Sequence, residues 1–304
     1  MASPADPSGA PVNAAAGSVL IAGSRNRSDR SRRGPGGLAG VVPVMVLAIV
    51  LLALIVPLLP LQDPITPDYD HIAISPQPGH LLGTDLHGRD QLSRVLWASR
   101  TSLLVGVVAT ALALATGIVV GGASVYGGRW IDSVLMRIAD IFLSFPVILG
   151  AIAIMAVLGP GRRNVFLAIA LFGWPVFARV FRASVLSVRE KGFVKAARVL
   201  GASDWRIFTS HVLPNSLGPL VSYSALAVAG AILAEAGLSF IGLGVQKPYP
   251  SWGLMLSESM GQFEQAPWLV IVPGVAITFT VLTFMLLGDV IASRFDLCRA
   301  GGSN

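Results

Sequence analysis

The sequence predicts an all-α integral membrane protein with six transmembrane helices, and three observations support this prediction. Hydrophobic residues make up 54% of the 304 residues and charged residues only 12%, a balance far from that of soluble domains. Six apolar runs reach or approach the ~20 residues that a helix needs to cross a bilayer. Most of the 22 Lys and Arg residues lie in alternate loops, which predicts a multi-pass protein with both termini in the cytoplasm.

The first 37 residues form a polar, basic tail that is rich in Ala, Gly, Ser and Pro. Such a composition cannot bury a core, so we expect residues 1–37 to be disordered. The tail carries an arginine run from Arg25 to Arg33, which favours retention in the cytoplasm. Residues 38–61 follow as the first transmembrane helix, which is long enough to act as an uncleaved anchor.

Residues 62–98 form a long loop, which is expected to be external and contains the string GTDLHGRD. Within it, Asp90 can cap a short helix whose apolar face would lie at the membrane interface. Four residues of this loop have side chains that could ligate a metal: His80, Asp85, His87 and Asp90. With only 4 histidines in the whole chain, a structural turn is favoured and no metal is expected.

Residues 99–304 form the remaining core, with five further transmembrane helices and a polar, basic loop at residues 189–215. The predicted spans are Ser99–Ala123, Val134–Leu158, Val165–Leu186, Leu217–Ile241 and Trp268–Ile291. Three prolines inside these spans are expected to bend them: Pro146, Pro175 and Pro273. Small residues recur in the second span (Gly117, Gly121) and the fifth (Ala227, Gly230), where packing within the bundle is favoured over a partner interface.

The loop between the fourth and fifth spans, Arg189 to Asn215, is patterned as well as basic, and we call it the basic loop. Apolar residues recur at helical spacing from Phe193, and Gly201 follows where a left-handed helix cap would lie. Ser203 can cap a second short helix, which Pro214 would end. The sequence therefore predicts two short helices joined at a glycine corner.

Aromatic side chains on the basic loop favour a docking surface over a simple connector. Trp205 and Phe208 would otherwise be exposed to water, whereas burial in a partner's groove is favourable. The residues expected to form this surface are Phe193, Lys195, Ala196, Ala197, Gly201, Ala202, Ser203, Trp205, Phe208 and Pro214.

The basic loop resembles the EAA loop of ABC importer permeases. Lys195-Ala196-Ala197, Gly201 and Leu213-Pro214 have its spacing: an acid, two alanines, a glycine four residues later, then leucine-proline. The fuller string AARVLGAS…HVLPN is similar to the dipeptide/oligopeptide/nickel branch. In that family the loop forms the coupling helix, which rests in a groove of a cytoplasmic ATPase. Lys195 departs from the usual glutamate and reverses the charge at that position.

Two further segments carry the same resemblance. Residues Gly83 to Arg94 match the GTDxxGRDxxSR string of peptide-permease subunits, and Glu235 to Gly253 resembles the family's EAxLSFLGLGV…PSWG segment. The second segment lies at the outer end of the fifth span in that family, which implies a nearby gate, although a purely structural role remains the alternative. The candidate gate or pathway residues are Glu235, Ser239, Gly242, Gly244 and Trp252.

The resemblance implies a type I ABC importer permease core in the bacterial cytoplasmic (inner) membrane. Its expected partners are a homologous second permease subunit, two cytoplasmic ABC ATPase domains and an extracytoplasmic substrate-binding protein. ATP and Mg²⁺ would bind to the ATPases, so no cofactor is expected on this chain. Di- or oligopeptides are the implied substrates, and a nickel chelate, glutathione or haem are alternatives.

Function classes other than a permease find less support in the sequence. It contains no GxxxxGK[ST], HExxH or GxSxG motif, so catalysis by this chain is not expected. Nucleic-acid binding is not expected either, because the basic residues flank apolar spans. Asp140, Glu235 and Asp289 lie in or beside spans, which leaves an ion-coupled secondary transporter or an intramembrane enzyme as the less favoured alternatives. Arg137, one helical turn before Asp140, is expected to pair with it.

Overall fold

A computed structural model describes residues 38–301 of the chain and the side chains of residues 40–295, so the predicted tail 1–37 lies outside the described residues. Between residues 38 and 301 the chain consists of helices, turns and two isolated bridges, with no strand. The all-α prediction is therefore confirmed for this part of the chain. The helices are, in order, α1 (Leu38–Ile55), α2 (Gln91–Tyr126), α3 (Arg129–Leu143), α4 (Val147–Leu158), α5 (Arg162–Arg189), α6 (Gly192–Val199), α7 (Asp204–Ile207), α8 (Leu213–Ser216), α9 (Gly218–Phe240), α10 (Trp252–Ser259) and α11 (Trp268–Gly301).

Among the described residues, α1, α2, α5, α9 and α11 are each long and apolar enough to cross a membrane. The predicted span over residues 134–158 differs, because the structure divides it into α3 and α4, which meet at 88°. The break lies at Ser144–Pro146, where Pro146 has no N–H to continue the helical ladder. Between residues 38 and 301 the structure therefore has five candidate spans, or six if this bent pair counts as one.

Helix α3 is held to α5 by ion pairs. Arg182 contacts both carboxylate oxygens of Asp132, at 2.7 and 2.6 Å. Asp140 pairs with Arg179 of α5, so the predicted partner, Arg137 on its own helix, was wrong. Sequence spacing identifies neighbours on one helix, but it does not show which side chains a second helix places nearby.

The long helix α2 packs against α5, α9 and α11 and forms the centre of the bundle. Gly117 and Gly121 allow its close approach to α5, since a Cβ on Gly121 would lie 2.6 Å from the carbonyl oxygen of Ala178. The prediction of internal packing is thus confirmed for these two glycines. Gly230 of α9 differs, because nothing lies within 4 Å of the Cβ that it lacks.

The two ends of α2 place the long loop and the basic loop at opposite ends of the bundle. With 36 residues, α2 is about 54 Å long. It starts in the long loop, where Asp90 accepts a hydrogen bond from the Ser93 N–H at 2.8 Å and so provides the predicted cap. The helix that Asp90 caps is not short, because it continues into the second span. At the other end, Tyr126 lies edge-on to Phe208 of the basic loop, with ring centroids 5.1 Å apart.

Candidate functional site

The basic loop has the predicted architecture of two short helices around a glycine corner. Helix α6 ends beside Gly201, whose φ of 81° lies in the left-handed region. Helix α7 begins after Ser203, whose hydroxyl accepts a hydrogen bond from the Arg206 N–H at 3.4 Å. The left-handed glycine and the serine cap are both confirmed.

Pro214 does not end the second helix, contrary to the prediction. From α7 the chain continues through a widened π turn, Phe208–Val212, directly into α8. Pro214 lies in the first turn of α8, directly after the widened turn, and its missing N–H removes one bond from the helical ladder without ending the helix. The basic loop is therefore anchored by an almost continuous helical segment that leads into α9.

Side chains of the basic loop divide into buried anchors and exposed apolar groups. Val194, Ile207 and Val212 are buried in the cluster between α5 and α9. The largest exposed apolar groups flank the corner: Val199 (87% exposed), Leu200 (86%), Trp205 (73%) and Phe193 (44%). Val199 and Leu200 were not among the predicted surface residues, although their place just before a left-handed glycine could have indicated exposure.

Phe208 was expected to be exposed beside Trp205, and this was wrong. Its ring is half-buried and packs against Tyr126 at the end of α2. Ala197 and Ala202 are likewise half-buried against the core, whereas Lys195, Ala196, Ser203 and Pro214 are exposed. The exposed surface is thus centred on the corner, and Phe208 packs between Trp205 of that surface and Tyr126 of α2.

Charged groups of the basic loop pair with each other on its surface. Lys195 Nζ lies 3.0 Å from Glu190, and Arg198 lies 3.7 Å from Asp204 across the corner. The hydrogen bond and charge of Lys195 hold the pKa of Glu190 below its usual value. The reversed charge at Lys195 therefore has an acidic partner within the same chain.

The long loop is held to α10 by a buried ionic cluster. Asp85 pairs with Arg89 at 2.7 Å and also with Arg94, whose other guanidinium nitrogen lies 2.8 Å from Glu258. The exposed Lys247 reaches the other carboxylate oxygen of Glu258, with Nζ 3.0 Å from Oε1. Burial alone would raise the pKa of Asp85, but the charges of Arg94 and Arg89 outweigh it and hold that pKa below its usual value. Burial also raises the pKa of Glu258, but the charge of Arg94 outweighs it and the net effect is a lowered pKa.

The His and Asp side chains of the long loop, which could ligate a metal, instead form local ion pairs and hydrogen bonds. His80 pairs with Asp90 at 3.1 Å, and Asp90 also caps α2, while His87 lies beside Arg89. Asp85 forms ion pairs with two arginines, Arg89 and Arg94. Within the described part of the chain, no group of three or more His, Cys, Asp or Glu is placed to hold a metal ion.

Glu235 lies at the centre of a buried network near the end of α9. Its carboxylate accepts hydrogen bonds from Ser102 of α2 at 2.9 Å and from Ser239 at 2.6 Å. The Ser239 hydroxyl in turn accepts a hydrogen bond from the Val245 N–H at 3.0 Å. Glu235 is fully buried and faces the bundle, as expected for an acid at membrane depth. It therefore links α2, α9 and the following turn.

The other candidate gate residues belong to the same packed unit. Gly242 has a φ of 82°, and a Cβ on Gly244 would collide with Ser239, so both positions require glycine. Trp252 is buried, and its indole N–H donates a hydrogen bond to the Val95 carbonyl of α2 at 3.0 Å. The structure thus brings all five candidates to one end of the bundle, the end that also carries the long loop.

A groove runs along α9 toward the basic loop. Its membrane part, about 470 Å³, is lined by apolar residues that include Gly230 and Leu233. A second part, about 600 Å³, shares Tyr223, Leu226 and Met285 with the first and reaches the exposed groups Lys191 and Asp289. Glu235 and Ser239 do not line either part.

Comparison with known proteins assigns this arrangement of helices and loops. Residues 113–297 match the family described as binding-protein-dependent transport system inner membrane component. The chain belongs to this family. It is therefore a multi-pass permease component of an ABC importer in the inner membrane, which works with ATPase and substrate-binding partners.

Two relatives show which members of the family this permease resembles. It is 45% identical over 221 residues to the dipeptide transport system permease protein DppC of Alkalihalophilus pseudofirmus, covering 73% of each chain. It is 40% identical over 229 residues to the glutathione transport system permease protein GsiD of Pectobacterium atrosepticum, covering 75% of this chain and 76% of the relative. The family resemblance drawn from the sequence is thus confirmed.

Solved structures establish the fold of the permease. A chain of the MetNI methionine ABC transporter in an inward-facing conformation superposes with a TM-score of 0.53 and 17% identity, covering 64% of this chain and 92% of that chain. A chain of an amino acid ABC transporter with histidines gives a TM-score of 0.52 and 16% identity, covering 64% and 90%. The predicted type I importer core is confirmed by these matches.

Proposed function

We propose that this permease imports di- or oligopeptides. The 45% identity to a dipeptide permease carries the proposal. The groove along α9 also fits it, since an apolar wall accepts varied side chains and the charged groups Lys191 and Asp289 suit the two termini of a peptide. Glutathione is the second candidate, supported by 40% identity to a glutathione permease.

The proposed complex contains a homologous second permease, two cytoplasmic ABC ATPase domains and an extracytoplasmic substrate-binding protein. ATP and Mg²⁺ would bind to the ATPases, and this chain would hold no cofactor. The substrate path would lie between the two permeases, with the α9 groove as this chain's half. Gly230, which has open space beside it, suits close approach by a partner helix or a substrate.

Within this complex the basic loop is the coupling element. Its corner presents Leu200 and Trp205, which are largely exposed and would be favourably buried in an ATPase groove. The buried anchors Val194 and Ile207 join the corner to the transmembrane core. A displacement of the corner would therefore be transmitted to α5 and α9.

Transport assays test the proposal directly. The permease, expressed with its neighbouring subunits in a strain lacking its own peptide importers, should support uptake of labelled dipeptide that depends on the ATPases and survives an ionophore. Uptake abolished by the ionophore but independent of the ATPases would favour an ion-coupled transporter. Faster uptake of glutathione than of any dipeptide would favour the second candidate.

The outer gate is proposed to depend on Glu235. Glu235→Gln should leave the amount of assembled complex unchanged, because shape is retained and the amide can still bond to Ser102 and Ser239. Hydrogen bonds to an uncharged group are weaker by about 1 kcal/mol, which would shift a balance between closed and open states roughly fivefold. We expect a similar change in the ratio of transport to ATP hydrolysis, measured in proteoliposomes. Glu264→Gln, at an exposed glutamate, is the matched control, and equal coupling in the two variants would contradict a gate role.

Both termini and the basic loop are proposed to be cytoplasmic, with the long loop outside. The test uses a chain whose single cysteine, Cys298, is replaced by serine. Tyr69→Cys, at a residue 69% exposed in the long loop, should react with an impermeant thiol reagent in intact cells, and Ser203→Cys only after lysis. The reverse pattern of labelling would invert the orientation.

A further inference from the structure

A crevice of about 430 Å³ opens between α1, α2 and the turn before α10, at the end of the bundle that carries the long loop. Its floor consists of the buried residues Ala53 and Leu103, and exposed apolar residues of α1 and α2 form its walls. At its mouth lie two arginines and two aromatic residues: Trp97, Arg100, Arg162 and Tyr249. No acidic residue lines it among the described residues.

The α2 residues that line the crevice change from charged to apolar along one face of the helix. Trp97, Arg100, Leu104 and Val107 are spaced three or four residues apart and so lie on one face of the helix. Arg100 and Val107 are separated by about 10 Å along the helix, within the ~15 Å hydrocarbon depth of one leaflet. The crevice is therefore amphipathic along the direction in which a lipid is oriented.

The two arginines at the mouth are available to bind an anion. Arg100 lies over the Trp97 ring, 5.3 Å from its centroid, and both arginines are exposed. Among the side chains that the structure describes, neither arginine has an ion pair or a hydrogen bond. Trp97 and Tyr249 are residue types that favour the headgroup level of a bilayer. An anionic headgroup with acyl chains beneath it would satisfy both parts of the crevice.

We propose that this crevice binds one anionic phospholipid. Its phosphate would lie between Arg100 and Arg162, and an acyl chain would pack along Leu54, Leu104 and Val107, which are 63%, 46% and 47% exposed. The lipid would fill the space between α1 and α2 and join the first span to the start of α5.

Native mass spectrometry of the full-length chain, purified with the subunits that accompany it, tests the proposal. Wild type should retain phosphatidylglycerol in preference to phosphatidylcholine. The Arg100→Gln/Arg162→Gln double variant should lose affinity for phosphatidylglycerol roughly thirtyfold, because each arginine near an anionic surface contributes about a factor of five. The corresponding double lysine variant keeps both charges and should retain binding, which controls for folding.

Arg163→Gln is the matched control, since Arg163 is the next residue along α5 but does not line the crevice. Its phosphatidylglycerol affinity should equal that of wild type. An equal loss in Arg163→Gln would indicate only a diffuse cationic surface and would overturn the proposal. So would equal retention of the two lipids, displacement of the lipid by soluble glycerol phosphate, or the absence of bound lipid because another subunit covers the crevice.

Discussion

Replacing Arg94 with leucine should strongly destabilise this permease. Arg94 lies between Asp85 and Glu258, and its removal leaves two buried carboxylates with fewer cations. Breaking a buried ion pair by removing one partner costs about 3–5 kcal/mol. We expect a value near the lower limit, since Arg89 and Lys247 remain close to the two acids. Thermal unfolding of the purified complex, followed by size-exclusion chromatography, measures the loss.

A matched control and a compensating variant separate this explanation from simple loss of a side chain. Arg163→Leu removes an exposed arginine and should leave the unfolding temperature nearly unchanged. Adding Glu258→Gln to Arg94→Leu should recover part of the stability, because Asp85 keeps its ion pair with the buried Arg89 and only the exposed Lys247 loses its acidic partner. Equal losses for Arg94→Leu and Arg163→Leu would contradict a stabilising role for the cluster.

The dependence of this loss on pH has a definite sign. Asp85 and Glu258 have lowered pKa values in the folded chain, so their contribution to stability is complete above the unfolded values near 4 and is lost as pH falls through the folded values. In Arg94→Leu, burial acts without the opposing charge of Arg94, and both pKa values should rise. The stability difference from wild type should therefore be largest near neutral pH and decrease toward about pH 4.

The sequence predicted features that depend on a few neighbouring residues. Asp90 as a helix cap and Gly201 as a left-handed corner follow from local backbone rules, and both are present. The ion pair between Arg94 and Glu258 joins residues 164 apart in the chain, and no local pattern indicates it. Asp140 was given the wrong partner for the same reason, because Arg179 comes from a different helix.

The sequence predicts which residues form the basic loop, but not which of their side chains are exposed. The position of the basic loop and its division at Gly201 followed from charge and spacing. Which apolar residues remain exposed did not, because the burial of Phe208 depends on Tyr126 at the far end of α2. Likewise, Pro146 was recognised as a site of bending, but the 88° angle there depends on how α3 packs on α5.

Replacing Gly201 with valine should abolish most of the coupling between transport and ATP hydrolysis while the protein still inserts. No atom lies within 4 Å of the missing Cβ, so a larger side chain has space, and only the φ of 81° opposes it. The left-handed conformation costs an ordinary residue about 1–2 kcal/mol, and a β-branched one is a genuine outlier there. The corner would relax, which would move Val199 and Leu200 relative to Trp205. Substrate-stimulated ATPase activity of the reconstituted transporter should fall about tenfold or more.

Gly201→Asn is the matched control, because asparagine tolerates the left-handed region better than other residues with a Cβ. It should keep ATPase binding and most of the stimulation, even though its side chain is polar and close to valine in size. Leu200→Ala and Trp205→Ala should each weaken ATPase pull-down without changing the corner, because they remove exposed apolar area and leave the backbone intact. If Gly201→Val retains the ATPase and full stimulation, the conformation of the corner does not carry the coupling. If only Gly201→Val fails, with Gly201→Asn active, the left-handed backbone at this residue is what the ATPase contact requires.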